Sequence, residues 1–241
     1  MSLLNRAASK KQIPISKMMT LTAGLLLLTA PSIWAQDLDP EREQTIARIA
    51  KLGGKVELDE QRPGKPVIKV DLRHTKVTDA DLEILKGFTQ VRSLNLHNLG
   101  VTDAGTKHLE GLTALEHLDL GHTQVGDASL EHVKGLTKLK TLILDDTPVT
   151  DAGLKYLKGL TDLRSLNLCL CTKVTDAGVG HLAGLTKIQV LDLNSVQVSD
   201  AGLKHLHGFT ALERMNVGDT KVTEAGVHEL SRVLPNAKIS R

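Results

Sequence analysis

Ten histidines and two cysteines are the residues of this 241-residue chain whose types most readily do chemistry. His108, His132, Tyr156, His181 and His205 occupy equivalent places in a recurring pattern, and imidazoles in register invite a metal. His74, Asn98, His122 and Asp146 share another place, where His122 and Asp146 would make either a catalytic dyad or a plain ion pair. Cys169 and Cys171 form a C-x-C, readable as two free thiols, a disulfide of awkward geometry or half of a metal site. A dyad also needs a nucleophile, an orienting group and an enclosed site. The sequence offers no phosphate-binding glycine loop between strand and helix, no nucleophile elbow and no H-E-x-x-H. The expectation is a non-enzymatic chain without a cofactor.

The elements that position these residues repeat. Val-Thr-Asp-Ala-Gly or a close variant recurs at Asp79, Asp103, Asp127, Asp151, Asp176, Asp200 and Glu224, in steps of 24, 24, 24, 25, 24 and 24 residues. So constant a period denotes a solenoid. Within the unit from Val149 to Leu168, Thr150 is a helix N-cap and Asp151 suits the positive end of the helix dipole. Leu154 and Leu157 face inward while Lys155 and Lys158 face solvent. Gly159 reads as a C′ glycine ending the helix, as do Gly87, Gly111, Gly135, Gly184 and Gly208. Leu166 and Leu168 then alternate as in a strand.

Eight strand segments begin near Val67, Val91, Leu115, Leu139, Leu163, Ile188, Leu212 and Asn236. Stacked in register they make a parallel sheet with strands about 4.8 Å apart, whereas packed helices need about 8–10 Å. The stack therefore curves into a short arc or horseshoe, sheet on the concave face and short helices on the convex face. The helical spacing is too wide for neighbouring histidines of the column from His108 to His205 to share a metal, since zinc ligands stand about 2 Å from the ion. On the concave face, Asp71, Asn95, Asp119, Ile143, Asn167, Asp192 and Asn216 form a column in mid-strand. Their apolar neighbours point inward, so these side chains point out. His117, Thr141, Ser165 and Arg214 flank the column on one side, His97 and Asp145 on the other. Two readings stay open: a row whose amides relieve like-charge contacts, or a mildly acidic recognition strip.

The L-x-x-L-x-L pattern of Leu115, Leu118 and Leu120, with its equivalents, resembles the leucine-rich repeat over residues 67–240. The unit from Leu163 to Gly178 resembles its cysteine-containing subtype, although the turn position holds Thr75, Leu99, Thr123, Thr147, Cys171, Val196 and Thr220 where that family commonly has Asn or Cys. The chain as a whole is similar to exported bacterial leucine-rich repeat proteins. The resemblance implies an α/β solenoid that binds a protein or peptide and rarely catalyses. A second reading makes the chain a metal-binding or enzymatic protein using its His and Cys columns. A third, an adaptor for substrate selection resembling ubiquitin-ligase leucine-rich repeat subunits, lacks an adaptor-binding domain.

Outside the repeats, Arg6, Lys10, Lys11 and Lys17 precede an apolar run from Leu21 to Ala30, and Ala35 offers a small residue before Gln36. Residues 1–35 read as a secretory signal peptide, too short in its apolar part to span a membrane, and imply export to the periplasm or beyond. Of 30 Lys+Arg and 28 Asp+Glu, that segment holds four basic and no acidic residues, leaving 26 against 28. A near-neutral remainder gives no electrostatic footprint for nucleic acid. Residues 36–66 form an N-terminal capping helix and hairpin, and residues 67–241 seven repeats and a terminal strand. The expected state is a monomer whose C-terminal edge could self-associate.

Overall fold

The computed structural model describes residues 40–241; the expected signal peptide lies outside them. Helix α1 (Pro40–Lys51) is followed by β1 (Lys55–Leu58), and then by the repeat strands β2 (Val67–Asp71), β3 (Ser93–Asn95), β4 (His117–Asp119), β5 (Thr141–Ile143), β6 (Ser165–Asn167), β7 (Val190–Asp192), β8 (Arg214–Asn216) and β9 (Lys238–Ser240). These strands form one sheet in sequence order, β2 to β9 parallel and β1 antiparallel on β2. Register is constant, Leu94 facing Leu118, Leu118 facing Leu142 and Leu142 facing Leu166. Hence each sequence column is also a row across the sheet.

The middle strands are shorter than expected and start two residues later. Leu115 and Leu139 are held in turns, their N–H groups donating to Leu112 and Leu136. The helical returns are short: α2 (Asp103–Thr106), α3 (Asp127–Val133), α4 (Asp151–Leu154), α5 (Asp176–Gly180), α6 (Asp200–Leu203) and α7 (Glu224–Val233). Several run on as 3-10 turns, such as Lys155–Gly159. The first repeat has only a 3-10 helix, Asp79–Gly87.

Leucine columns from strand and helix close a continuous core, with Leu118, Leu154, Leu157, Leu166 and Leu168 fully buried. One expectation fails here. Gly159 and its equivalents do not take the left-handed conformation of a C′ glycine; among the described residues only Gly53 and Gly64 have glycine φ above zero. Gly159 is the last residue of a 3-10 turn, whose exit is made by Leu160 at φ −85°. A Cβ at Gly87, Gly111, Gly135 or Gly184 would meet open space, and nothing in the structure requires glycine there.

What locks one repeat to the next is the recurring aspartate. Asp151 reaches forward and accepts from the backbone N–H of Thr175 at 2.7 Å and its hydroxyl at 2.6 Å. That hydroxyl in turn accepts from the N–H of Ala177 and caps α5. Asp79, Asp127, Asp176 and Asp200 make the same clasp with Thr102, Thr150, Ser199 and Thr223. The glycine of Asp-Ala-Gly makes room for it: a Cβ on Gly178 would collide with the Asp151 carboxylate. The acid therefore does more than answer a helix dipole; its charge-assisted bonds tie two repeats.

Candidate functional site

The column from Asp71 to Asn216 closes each strand instead of occupying its middle. Asn95, Asp119, Asn167, Asp192 and Asn216 each accept, through Oδ1, the backbone N–H two residues on, at 2.9–3.1 Å. Asp71 does the same for Arg73 and also holds its guanidinium at 2.7 Å. That guanidinium keeps the Asp71 carboxyl below the usual carboxylate range. The Asx side chain thus braces the exit from the strand, three residues before a position of positive φ: His74 at 59°, Asn98 at 56°, His122 at 53° and Ser195 at 60°; Asp146 takes φ 51° after Ile143, so the turn also forms without that brace. Short polar side chains are the non-glycine residues that best tolerate that conformation. Leu170, at φ 61° and exposed, is the apolar exception.

Only part of the expected amide ladder is present, Asn95 Nδ2 donating to Asp119 Oδ2 at 3.1 Å. The column is half-buried throughout, and Ile143 lies in it between Asp119 and Asn167 as its one apolar member. On one flank His117 Nδ1 and Thr141 Oγ1 are 3.1 Å apart, with Ser165 half-buried beyond them and Arg214 exposed.

On the other flank the structure gathers a group that no sequence column contains. His97, Asp119 and Asp145 each bring a ligand atom within 4.8 Å of the others, the one such His/Cys/Asp/Glu group among the described residues. His97 Nδ1 and Asp119 Oδ1 are 3.4 Å apart. His97 and Asp145 sit two strands apart with Gly121 between them, and they meet because Gly121 has no side chain. The other Asp145 oxygen pairs with His122 Nε2 at 3.1 Å, and His122 Nδ1 faces Asp146 Oδ2 at 3.0 Å. The imidazoles of His97 and His122 meet edge to face at 4.9 Å. The His122–Asp146 contact thus exists, joined to a second carboxylate; the nearby thiol is Cys169, one strand on, which feels the charge of both Asp145 and Asp146.

The other candidates separate. In the helical column His132 Nδ1 pairs with Glu110 at 2.5 Å and Tyr156 donates to Glu131, while burial lowers the pKa of His108. Both cysteines are free thiols. Cys171 is buried and donates to the Leu144 carbonyl at 3.1 Å, and Cys169 lies 3.6 Å from Asn194 Oδ1. Burial raises both thiol pKa values, which opposes the thiolate that a redox or metal site would use.

Residues 111–132 and 135–158 match the leucine-rich repeat family. With the stacked strand-and-helix units around them, that decides the identification. This is a leucine-rich repeat protein. Its structure resembles an internalin (inlF) of Listeria monocytogenes at 21% identity and a TM-score of 0.61, covering 89% of this chain and 59% of that one. A second internalin (inlC2) of the same organism matches at 24% identity and a TM-score of 0.59, over 84% of this chain and 86% of that one. A leucine-rich repeat protein of Leptospira interrogans matches at 18% identity and a TM-score of 0.51, over 66% of this chain and 45% of that one. At such identities the likeness is one of fold. No curated protein sequence matches significantly. Among the described residues no helix is long and apolar enough to cross a membrane.

Sequence reasoning placed His97, Asp119 and Asp145 on the same face without bringing them together. The signal that was available is the glycine between two chemistry-bearing residues in one row, His97, Gly121, Asp145. Sheet register turns that row into a gap that both neighbours fill.

Proposed function

We propose that this protein is a non-enzymatic scaffold that works outside the cytoplasm and captures a protein or peptide on its sheet face. The leucine-rich repeat fold itself suits a protein-binding scaffold, and among the described residues the paired His97 and His122 are part-exposed while the neighbouring Cys169 thiol has its pKa raised by burial and nearby carboxylates, which opposes a nucleophilic thiolate. The observation that carries the choice of face is the half-buried row of Asx side chains interrupted by Ile143. It combines an apolar centre with polar groups fixed in orientation by backbone hydrogen bonds, the anatomy of a recognition patch with a dry middle and a polar rim. Each of the strands β2 to β8 carries one member of that row, so a bound segment would touch several at once. The site then comprises Asp71, Asn95, Asp119, Ile143, Asn167, Asp192 and Asn216 with the flanks named above. Export is supported by the charged-then-apolar order of residues 6–30.

The test compares pull-downs from the native cell envelope or medium by three folded proteins. Wild type and a helix-face variant, His132→Ala with His181→Ala, should capture the same partner, and Ile143→Arg should lose it at an unchanged melting transition. Loss with the helix-face variant alone would move the site to the helices. Amino-terminal sequencing of the exported fraction should begin near Gln36; an intact Met1 start confined to the cytoplasm would overturn export.

A further inference from the structure

We propose that His97, Asp119 and Asp145 form a binding site for one divalent transition-metal cation of the zinc type on the sheet face. Two donors on a tetrahedral zinc, each about 2.0–2.2 Å from it, stand about 3.3–3.6 Å apart. His97 Nδ1 and Asp119 Oδ1 are 3.4 Å apart, longer than an ordinary N–H···O bond and at the spacing of two ligands on one ion. Asp145 lies within 4.8 Å of both, so a rotamer adjustment of roughly an ångström completes three protein ligands and leaves a position open to solvent, as at catalytic or exchangeable zinc sites. Imidazole with two carboxylates is a donor set for a first-row ion and lacks the six or more oxygens that calcium takes.

The surroundings support the same assignment. Asp119 is oriented by two donors, the Gly121 N–H on Oδ1 at 3.0 Å and Asn95 Nδ2 on Oδ2 at 3.1 Å. Asp145 is oriented by His122 on its second oxygen at 3.1 Å. Ligands steadied by outer hydrogen bonds are the usual anatomy of a metal centre. Charge points the same way. Asp119, Asp145 and Asp146 gather on this face, and the guanidinium of Arg73, which feels Asp119, is already bound in a fork to Asp71. Finally, a Cβ on Gly121 would stand 2.9 Å from His97 Nδ1 and collide with Asp145 Oδ1. The open space on that glycine is where both ligand atoms point. The inference stands on these residues alone and does not depend on a protein partner being captured.

Titration calorimetry of the full chain, first stripped with chelator, with zinc chloride as the probe tests it, alongside the visible spectrum of a cobalt(II)-loaded sample. We expect one ion per chain and tetrahedral cobalt bands. His97→Ala and Asp145→Asn should each weaken zinc binding by roughly tenfold or more, and His122→Ala, which removes an outer partner, by about tenfold. Gly121→Ala keeps every ligand and fills the space, and should also abolish the site in a protein that melts like wild type. The helix-face variant with His132→Ala and His181→Ala should bind as wild type does. Absence of one-to-one binding by the wild type, or binding lost in the helix-face variant and kept in His97→Ala, overturns the proposal. Should Gly121→Ala unfold, the two ligand variants decide by themselves.

Discussion

The clasp between repeats can be separated from the helix dipole by two substitutions at one motif position. Asp151 and Glu224 both open a helix, yet only Asp151 has a following repeat to hold. Asp151→Ala removes two charge-assisted bonds, from the Thr175 N–H at 2.7 Å and hydroxyl at 2.6 Å. Such bonds are worth about 1.5–3 kcal/mol each when broken. Asp151 is half-buried, so water recovers part of that, and the expected loss is about 2–3 kcal/mol. Glu224 is 93% exposed and has only Arg241 at 3.8 Å; its change to Ala should cost within about 0.5 kcal/mol. Were the dipole the whole reason for the acid, both variants would lose a similar 0.3–1 kcal/mol or so. Urea melts of wild type, Asp151→Ala, Thr175→Ala and the double variant give the numbers. The double variant should show a coupling between about 0.5 and 3 kcal/mol. Equal losses at Asp151 and Glu224, or additive losses at Asp151 and Thr175, would refute the clasp.

Two further outcomes are expected. In the third repeat Gly126 replaces the capping threonine and Ser129 replaces the glycine, and Asp103 accepts from both N–H groups and from the Ser129 hydroxyl; Ser129→Gly alone should destabilise, and adding Gly126→Thr should restore the urea midpoint, with failure of the rescue showing that the two positions do not compensate. Thr78 holds the Asp81 carboxyl and Thr223 that of Asp200 below the usual carboxylate range, chiefly by donating backbone N–H and hydroxyl. With folded pKa values below the unfolded ones, the stability they supply is complete above about pH 5 and is lost as pH falls through the carboxylate range. Asp200→Asn should therefore flatten the fall in urea midpoint between roughly pH 5 and pH 3, and parallel curves for variant and wild type would contradict this.

How much of this was legible in the sequence depends on the range over which each signal acts. Leu118 and Leu166 were placed in the core by alternation alone, and both are buried. The His122–Asp146 contact followed from one strand spacing. Two free thiols were one of three readings of the C-x-C, and the structure decides among them, with Cys171 buried and Cys169 partly exposed. The clasp was not read, because Asp151 and Thr175 are 24 residues apart and each already had a sufficient local explanation, dipole for one and N-cap for the other. Gly159 was misread for a related reason. Glycine after a helical run usually marks a left-handed exit, but a return as tight as a 3-10 turn leaves the helix without one. The His97, Asp119 and Asp145 group spans three strands and relies on a missing side chain, which no periodic pattern displays.

The clasp also explains why the motif departs from itself where it does. At the first repeat there is no preceding aspartate, and Asp81 stands where later repeats have glycine; its carboxylate accepts the Thr78 N–H at 3.1 Å and hydroxyl at 2.8 Å, the two bonds a preceding repeat would supply. No neighbour's carboxylate needs the space there, so a side chain is admitted. Arg48 of α1 reaches the same carboxylate at 3.3 Å, tying the N-terminal helix to this closed end. Glu224, among the described residues, makes no such clasp; its exposed carboxylate stands 3.8 Å from Arg241. In between, the aspartate is constant while hydroxyl and glycine exchange places once beneath it, at Gly126 and Ser129. An array whose stability is a sum of repeat and nearest-neighbour terms has, in this carboxylate, a side-chain neighbour term that recurs beside the backbone bonds of the sheet.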